Sequence, residues 1–256
     1  MNQSLIDYTL HLADNSLILA QRNSEWCGHG PVLEQDIAIT NISLDLIGQA
    51  RNFYQYAAQL INATNQSANP ATEDSLAYLR TEREFKNCLL VEQPNGDWAQ
   101  TILRQFFFST NQYFLYEQLQ NSKDEQLAAI AEKALKEVTY HLRWSSEWVI
   151  RLGDGTEESH ERIIKATDEL WSYIGELFDA VNYEQQAASQ GFGVDPGLLK
   201  ESWTNKIKEI FSEATLTAPA TTFQHSGGKN GIHTEQLGFI LTELQYMQRT
   251  YPNSTW

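Results

Sequence analysis

Residues 32–61 read VLEQDIAITNISLDLIGQARNFYQYAAQLI. Stepping by three and four from Leu33 gives Leu33, Ile37, Thr40, Leu44, Ile47, Arg51, Tyr54, Ala58 and Ile61. The same walk from Ala38 gives Ala38, Ile42, Leu46, Gln49, Phe53, Ala57 and Leu60. Residues three and four apart share a helical face. Two mostly apolar stripes on one helix predict that it is covered on more than one side. A second long run, DEQLAAIAEKALKEVTYHLRWSSEWVIRLG at 124–153, carries a single stripe: Leu127, Ala131, Ala134, Val138, His141, Ser145, Trp148 and Leu152. Two long helices of this kind, with another long helix between them, predict an all-α fold built as an antiparallel bundle.

Working outward, helices are expected at about Ser4 to Gln21, Val32 to Ile61, Glu73 to Leu90, Trp98 to Gln120 and Asp124 to Leu152. Others are expected at His160 to Phe178, Pro196 to Glu213 and His233 to Arg249. No proline stands between Pro94 and Pro196, which leaves room for long uninterrupted helices. Asp195 before Pro196 fits an N-cap followed by proline at the first helical position. Alternating β-branched runs are missing. The one long loop is 214–232, polar and Gly-rich, with His225, Lys229 and, at its edge, His233. The reading is of one domain over 1–256.

Composition narrows the function classes. The 256 residues are 41% hydrophobic and 20% charged, enough apolar material for a packed core. Asp and Glu total 33 against 18 Lys and Arg, a net charge of −15. A chain this acidic repels nucleic-acid phosphates and anionic lipid, so neither is expected as a partner. No run approaches the length of a membrane span. The first residues lack the basic and apolar regions of a signal peptide, so a cytoplasmic location is expected. Cys27 and Cys88 are the only cysteines, too few for a disulfide framework or a cysteine-based zinc site.

Gly227-Gly228-Lys229 has neither the preceding strand nor the spacing of a phosphate loop. An acidic bundle raises the question of a di-iron centre, which takes a Glu from each of two helices and a Glu-x-x-His from each of two others. No Glu-x-x-His occurs in either long run, 32–61 or 124–153. The nearest pattern is Glu137-Val138-Thr139-Tyr140-His141, in which His141 lies on the apolar stripe and Glu137 lies off it. Glu137 reads as a solvated face residue. His11 and His160 read as exposed helix residues.

Several stretches carry a resemblance: Asn23-Ser24-Glu25-Trp26-Cys27-Gly28-His29, Leu44-Asp45-Leu46-Ile47-Gly48-Gln49-Ala50-Arg51-Asn52-Phe53, Leu90-Val91-Glu92-Gln93-Pro94-Asn95-Gly96, Lys136-Glu137-Val138-Thr139-Tyr140-His141 and Gly227-Gly228-Lys229-Asn230-Gly231-Ile232-His233-Thr234-Glu235. Together they closely resemble the C-subunit family of the bacterial phenylacetyl-CoA epoxidases, across essentially the whole chain. The resemblance implies a ferritin-like bundle with additional C-terminal helices. It implies a non-catalytic structural subunit that binds and stabilises a homologous catalytic A subunit in phenylacetate catabolism. The di-iron centre then lies in that partner. A small additional subunit and a flavin and iron–sulfur reductase complete the hetero-oligomer.

The same resemblance maps a degenerate di-iron site. Where the catalytic subunit has D-E-A-G-H, this chain has Asp45-Leu46-Ile47-Gly48-Gln49, so the ligand Glu and His become Leu46 and Gln49. Where it has K-E-E-S-F-H, this chain has Lys136-Glu137-Val138-Thr139-Tyr140-His141, so a ligand Glu becomes Val138 and only His141 survives. The carboxylates expected from the first and fourth helices fall near Leu17 and Ser109, and neither place holds a carboxylate. The expectation is a filled-in site with no catalytic, cofactor or metal residues, and with Gln49 and His141 in one central layer. The doubly apolar second helix should supply a large interface with a related bundle. The alternative is a self-sufficient di-iron oxygenase or iron-binding protein that uses an unusual ligand set such as His141 with Glu137.

Overall fold

The computed structural model describes residues 3–64, 69–252 and 254. Along the chain the helices are α1 (Gln3–Ser24), α2 (Leu33–Thr64), α3 (Glu73–Tyr78), α4 (Leu89–Glu92), α5 (Trp98–Leu119), α6 (Glu125–Gly153), α7 (Glu157–Leu170), α8 (Asn182–Gln190), α9 (Lys200–Glu213), α10 (Glu235–Leu244) and α11 (Tyr246–Thr250), with five short 3-10 turns between them. No strand occurs among the described residues. The element set is that of an all-α, ferritin-like bundle: two long helical hairpins, α1–α2 and α5–α6, each followed by shorter helices.

Local chemistry sets the helix starts. Asp97 accepts from the Gln100 N–H at 3.1 Å to open α5, and Asp124 accepts from the Leu127 N–H at 2.9 Å to open α6. Asp195 accepts from the Gly197 N–H at 2.9 Å, as expected of a cap, but a 3-10 turn (Pro196–Leu199) precedes α9 there.

The chain folds as two compact units. The first is Met1–Gln93 with Gly227–Trp256, and the second is Pro94–Ser226. In the first, α1 and α2 pack along their lengths, and α4 and α10 close on α1. In the second, α5 pairs with α6, and α7 and α9 pack on α5.

The two stripes of α2 have different fates. Ile42, Leu46, Gln49, Phe53, Ala57 and Leu60 are buried. The other stripe is buried only at Tyr54 and Ala58; upstream, Leu33 is 72% exposed, Ile37 52%, Leu44 60% and Ile47 43%. This chain's own core therefore covers one stripe and only the C-terminal part of the other. The fold leaves the upstream part of that other stripe largely in solvent.

Other boundaries differ for identifiable reasons. The helix expected over Glu73 to Leu90 stops at Tyr78. A 3-10 turn (Glu82–Glu84) and an irregular stretch intervene before α4. There the Lys86 N–H donates to Asp14 Oδ2 at 2.8 Å and the Cys88 N–H to Asn15 Oδ1 at 2.8 Å. Side chains of α1 thus replace the helical acceptors. The expected His160 to Phe178 helix ends at Leu170 and continues as 3-10 turns. The expected last helix starts at Glu235 and breaks at Gln245, whose Nε2 donates to the Arg80 carbonyl at 3.0 Å. The short polar helix α8 carries no periodic signal, because only Tyr183, Glu184 and Ala187 are buried on it.

Candidate functional site

The residues that the resemblance maps to a former metal site sit on the long hairpins. In the first unit, Leu17 lies on α1 and Leu46 and Gln49 on α2; all three are buried. In the second, Ser109 lies on α5 and Val138 and His141 on α6, all fully buried. The α1–α2 and α5–α6 pairing places each set on packed helices. Ser109 Oγ accepts from Gln105 Nε2 at 2.7 Å, and the Tyr140 ring lies 6.3 Å from that of His141. Glu137 is half-buried.

The donor chemistry here does not fit a di-iron centre. Leucine and valine offer no lone pair, and an amide is a poor substitute for carboxylate or imidazole with hard iron. Among the described residues no three His, Cys, Asp or Glu side chains gather as metal ligands.

Buried charge appears elsewhere in the first unit, in two networks that periodicity does not reveal. The first surrounds Asp14, fully buried on α1. Arg80 donates to Asp14 Oδ2 at 3.1 Å through Nη1, and to Oδ1 through Nη2. The Tyr54 hydroxyl donates to the same carboxylate at 2.5 Å. The Arg80 guanidinium also lies 4.2 Å from the Phe85 ring centroid. Burial opposes the Arg80 cation, but Asp14 outweighs it and holds the arginine above its ordinary pKa. Burial, then the charge of Asp14, pushes the Tyr54 phenol well up, so it stays protonated.

The second network centres on Glu92. His233 Nδ1 donates to Glu92 Oε2 at 2.8 Å, while the Thr234 N–H and Oγ1 donate to Oε1 at 2.7 and 2.8 Å. Asn87 Nδ2 donates to Oε2 at 2.9 Å, and His233 Nε2 donates to the Phe85 carbonyl at 3.0 Å. Arg22 donates twice to the Glu92 carbonyl, at 3.1 and 3.0 Å, and once to Gln236 Oε1 at 3.2 Å. Burial lowers the His233 pKa, but the hydrogen bond and charge of Glu92 prevail, so the net shift is upward. Saturated acceptors and buried partners make both networks structural. The signals for them are a lone Asp in the buried run of α1 and a Glu inside Leu-Leu-Val-Glu.

The histidine readings need correction on this basis. His11 is buried, not exposed, and its Nδ1 donates to the Lys86 carbonyl at 2.7 Å. His160 is partly covered, with its Nδ1 donating to the Gly153 carbonyl at the end of α6, at 2.6 Å. The Gly-rich loop is exposed over much of its length but built in around Gly228. Lys229 is buried, and Gly228 packs so closely that a Cβ there would meet the Asn87 carbonyl oxygen at 2.4 Å. Within the second unit, His225 stacks on Tyr173 at 4.5 Å, and its N–H donates to the Ser172 carbonyl at 2.7 Å.

A family model described as "Phenylacetic acid catabolic protein" matches residues 1–256. The chain belongs to that family. It is similar to the C subunit of the 1,2-phenylacetyl-CoA epoxidase of Escherichia coli (strain K12), with 48% identity over 256 residues that cover both chains completely. No described helix of this family member is long and apolar enough to cross a membrane.

Proposed function

We propose that this chain is a structural, non-catalytic subunit of a phenylacetyl-CoA epoxidase. It binds and stabilises the di-iron catalytic subunit in the cytoplasm, as part of aerobic phenylacetate degradation. The observation that carries this reading is the exposed stripe of α2. Leu33, Ile37, Thr40, Leu44, Ile47 and Arg51 are spaced four, three, four, three and four apart. That is the 3.5-residue repeat of a seam that receives another helix, knobs into holes. Val32 beside it is also exposed. A solvated apolar seam on a protein with charge to spare marks a surface that a partner covers. The filled-in site supports the same reading. Buried carboxylates without metal repel one another, and Leu46, Gln49 and Val138 remove that penalty.

The test is co-expression with the catalytic subunit, followed by a sizing column. The wild type should elute as a higher-mass complex. Ile37→Lys with Leu44→Lys should leave the helical content of the chain intact, because both positions are exposed, and should abolish co-elution. Iron on the isolated, metal-loaded chain should fall far below one atom per chain. Stoichiometric iron would instead favour the iron-binding alternative, and an unchanged complex from the double variant would remove α2 from the interface.

A further inference from the structure

The second unit holds a cavity of about 550 Å³ that plays no part in the subunit reading. Its floor is one face of α9, where Trp203, Ile207 and Phe211 are all buried. Trp203 is locked in place: its Nε1 donates to the Phe107 carbonyl at 3.0 Å. Phe178 meets Trp203 edge-on at 5.2 Å, and Trp171 lies 6.3 Å from both Trp203 and Phe211. Trp171 is only partly covered and so turns part of its ring toward the space.

The fourth side is a strap. The chain leaves α9 and contributes Leu216, Thr217 and Ala218 to the wall, then returns at Gln224. It is fastened at both ends. The Leu216 N–H donates to the Phe211 carbonyl at 2.8 Å, and Gln224 Oε1 accepts from the Gly175 N–H at 2.7 Å. The walls are therefore largely pre-formed, and the volume falls in the range of small-molecule sites.

The rim has a charge pattern opposite to the chain as a whole. Lys200, Thr204, Lys208 and Ser212 follow one another every fourth residue along α9, beside the apolar row. Lys200 and Lys208 are exposed and make no ion pair among the described residues, while no Asp or Glu lines the cavity. In a protein carrying 33 acidic and 18 basic side chains, two uncompensated lysines over an aromatic slot form a local anion trap. Their stems can line the wall while the ammonium groups stay wet.

We infer that this cavity binds an aromatic carboxylate, with its ring system packed on Trp171 and the apolar face of α9 and its anionic end toward Lys200 and Lys208. The volume exceeds what one benzene ring fills, so a two-ring acid should suit it better than a one-ring acid. This inference is independent of the subunit reading.

The probe is 1-naphthylacetate, titrated calorimetrically into the full-length chain. Its neutral isostere 1-naphthylacetamide and the smaller phenylacetate serve as comparisons. Saturable one-to-one binding is expected, with naphthylacetate tightest. The amide should bind roughly tenfold more weakly, the loss of two solvent-screened cationic contacts. Lys200→Gln with Lys208→Gln should reduce naphthylacetate binding to the level of the amide and leave the amide unchanged. Thr204→Trp, which fills the slot, should abolish binding of both, and the lysine variant keeps the test decisive if that substitution fails to fold. No heat of binding, or equal affinity for acid and amide, overturns the inference, as does a lysine variant that binds like the parent. The lysine variant should still co-elute with the catalytic subunit, so failure here is distinguishable from failure of the subunit reading.

Discussion

The two units solve the problem of cohesion differently. The first unit joins two separate parts of the chain, and it buries charged networks within its apolar core: Arg80 on Asp14, His233 on Glu92, Arg22 on the Glu92 carbonyl. The second unit is one continuous stretch. Its heart is aromatic, with Phe107, Trp171, Trp203 and Phe211 in mutual contact and Trp98 edge-on to Trp144 and Trp148. Pairs such as Arg162 with Glu158 and Lys206 with Glu209 stay on its surface. A continuous hairpin finds its partner helix by proximity, and its buried Arg104 donates to Asn95 Oδ1, nine positions away, at 2.6 Å. A unit closed by a segment 141 positions away benefits from contacts that only the right segment can satisfy. Buried charge adds little net stability, and its removal from one side only is expensive.

The sharpest way to break this contrast is Asp14→Ala. It strands the Arg80 cation and the Tyr54 hydroxyl in a buried site and should cost about 3–5 kcal/mol in urea unfolding. Asp14→Leu combined with Arg80→Met should cost less than the single change, since no orphaned charge remains; a larger loss from the pair would mean that the network is a net source of stability. Val138→Glu makes the complementary change in the second unit. It buries a carboxylate on α6 and should destabilise by about 2–4 kcal/mol; a variant as stable as the parent would show that Val138 does not mark a closed former pocket. Trp203→Phe keeps most of the ring and removes one donor to the Phe107 carbonyl, so about 1–2 kcal/mol is expected.

The smallest effect is a pH slope. The folded protein holds the His233 proton more tightly than the unfolded chain does. The resulting stability is fully present below the ordinary histidine value of about 6.5 and is lost as pH rises through the higher folded value. Thermal unfolding between pH 6 and 8.5 should therefore show a decline that His233→Asn flattens. An identical slope in the variant would remove His233 from the account.

Sequence periodicity serves best where packing is apolar and local. The ends of α2, α5 and α6 fall within a few residues of expectation, because their stripes are long and no proline interrupts them. It serves worst where one unit is tied to a distant segment. Residues 79–88 carry a helical pattern, yet Asp14 and Asn15 capture the Lys86 and Cys88 amides, and no local rule anticipates a side chain 72 positions away. His11 reads as exposed for the same reason: its acceptor, the Lys86 carbonyl, is 75 positions distant. At the candidate site the sequence itself shows only the non-ligating side chains of Leu46 and Val138 and the amide of Gln49; that they replace ligands is what the resemblance implies. The aromatic cavity is not legible at all, since its walls come from three segments that no single stripe connects.

The discontinuity of the first unit also has a consequence for biosynthesis. The ribosome delivers residues 94–226 after Glu92 and before His233. During that interval the second unit can fold as a nascent domain, as chains do from the N-terminus onward, while Glu92 and the Phe85 carbonyl wait without the imidazole that will meet them. The first unit closes only when the segment from Gly227 onward arrives. The order of synthesis thus leaves the network around Glu92 to be completed only after the aromatic core of the second unit has been made.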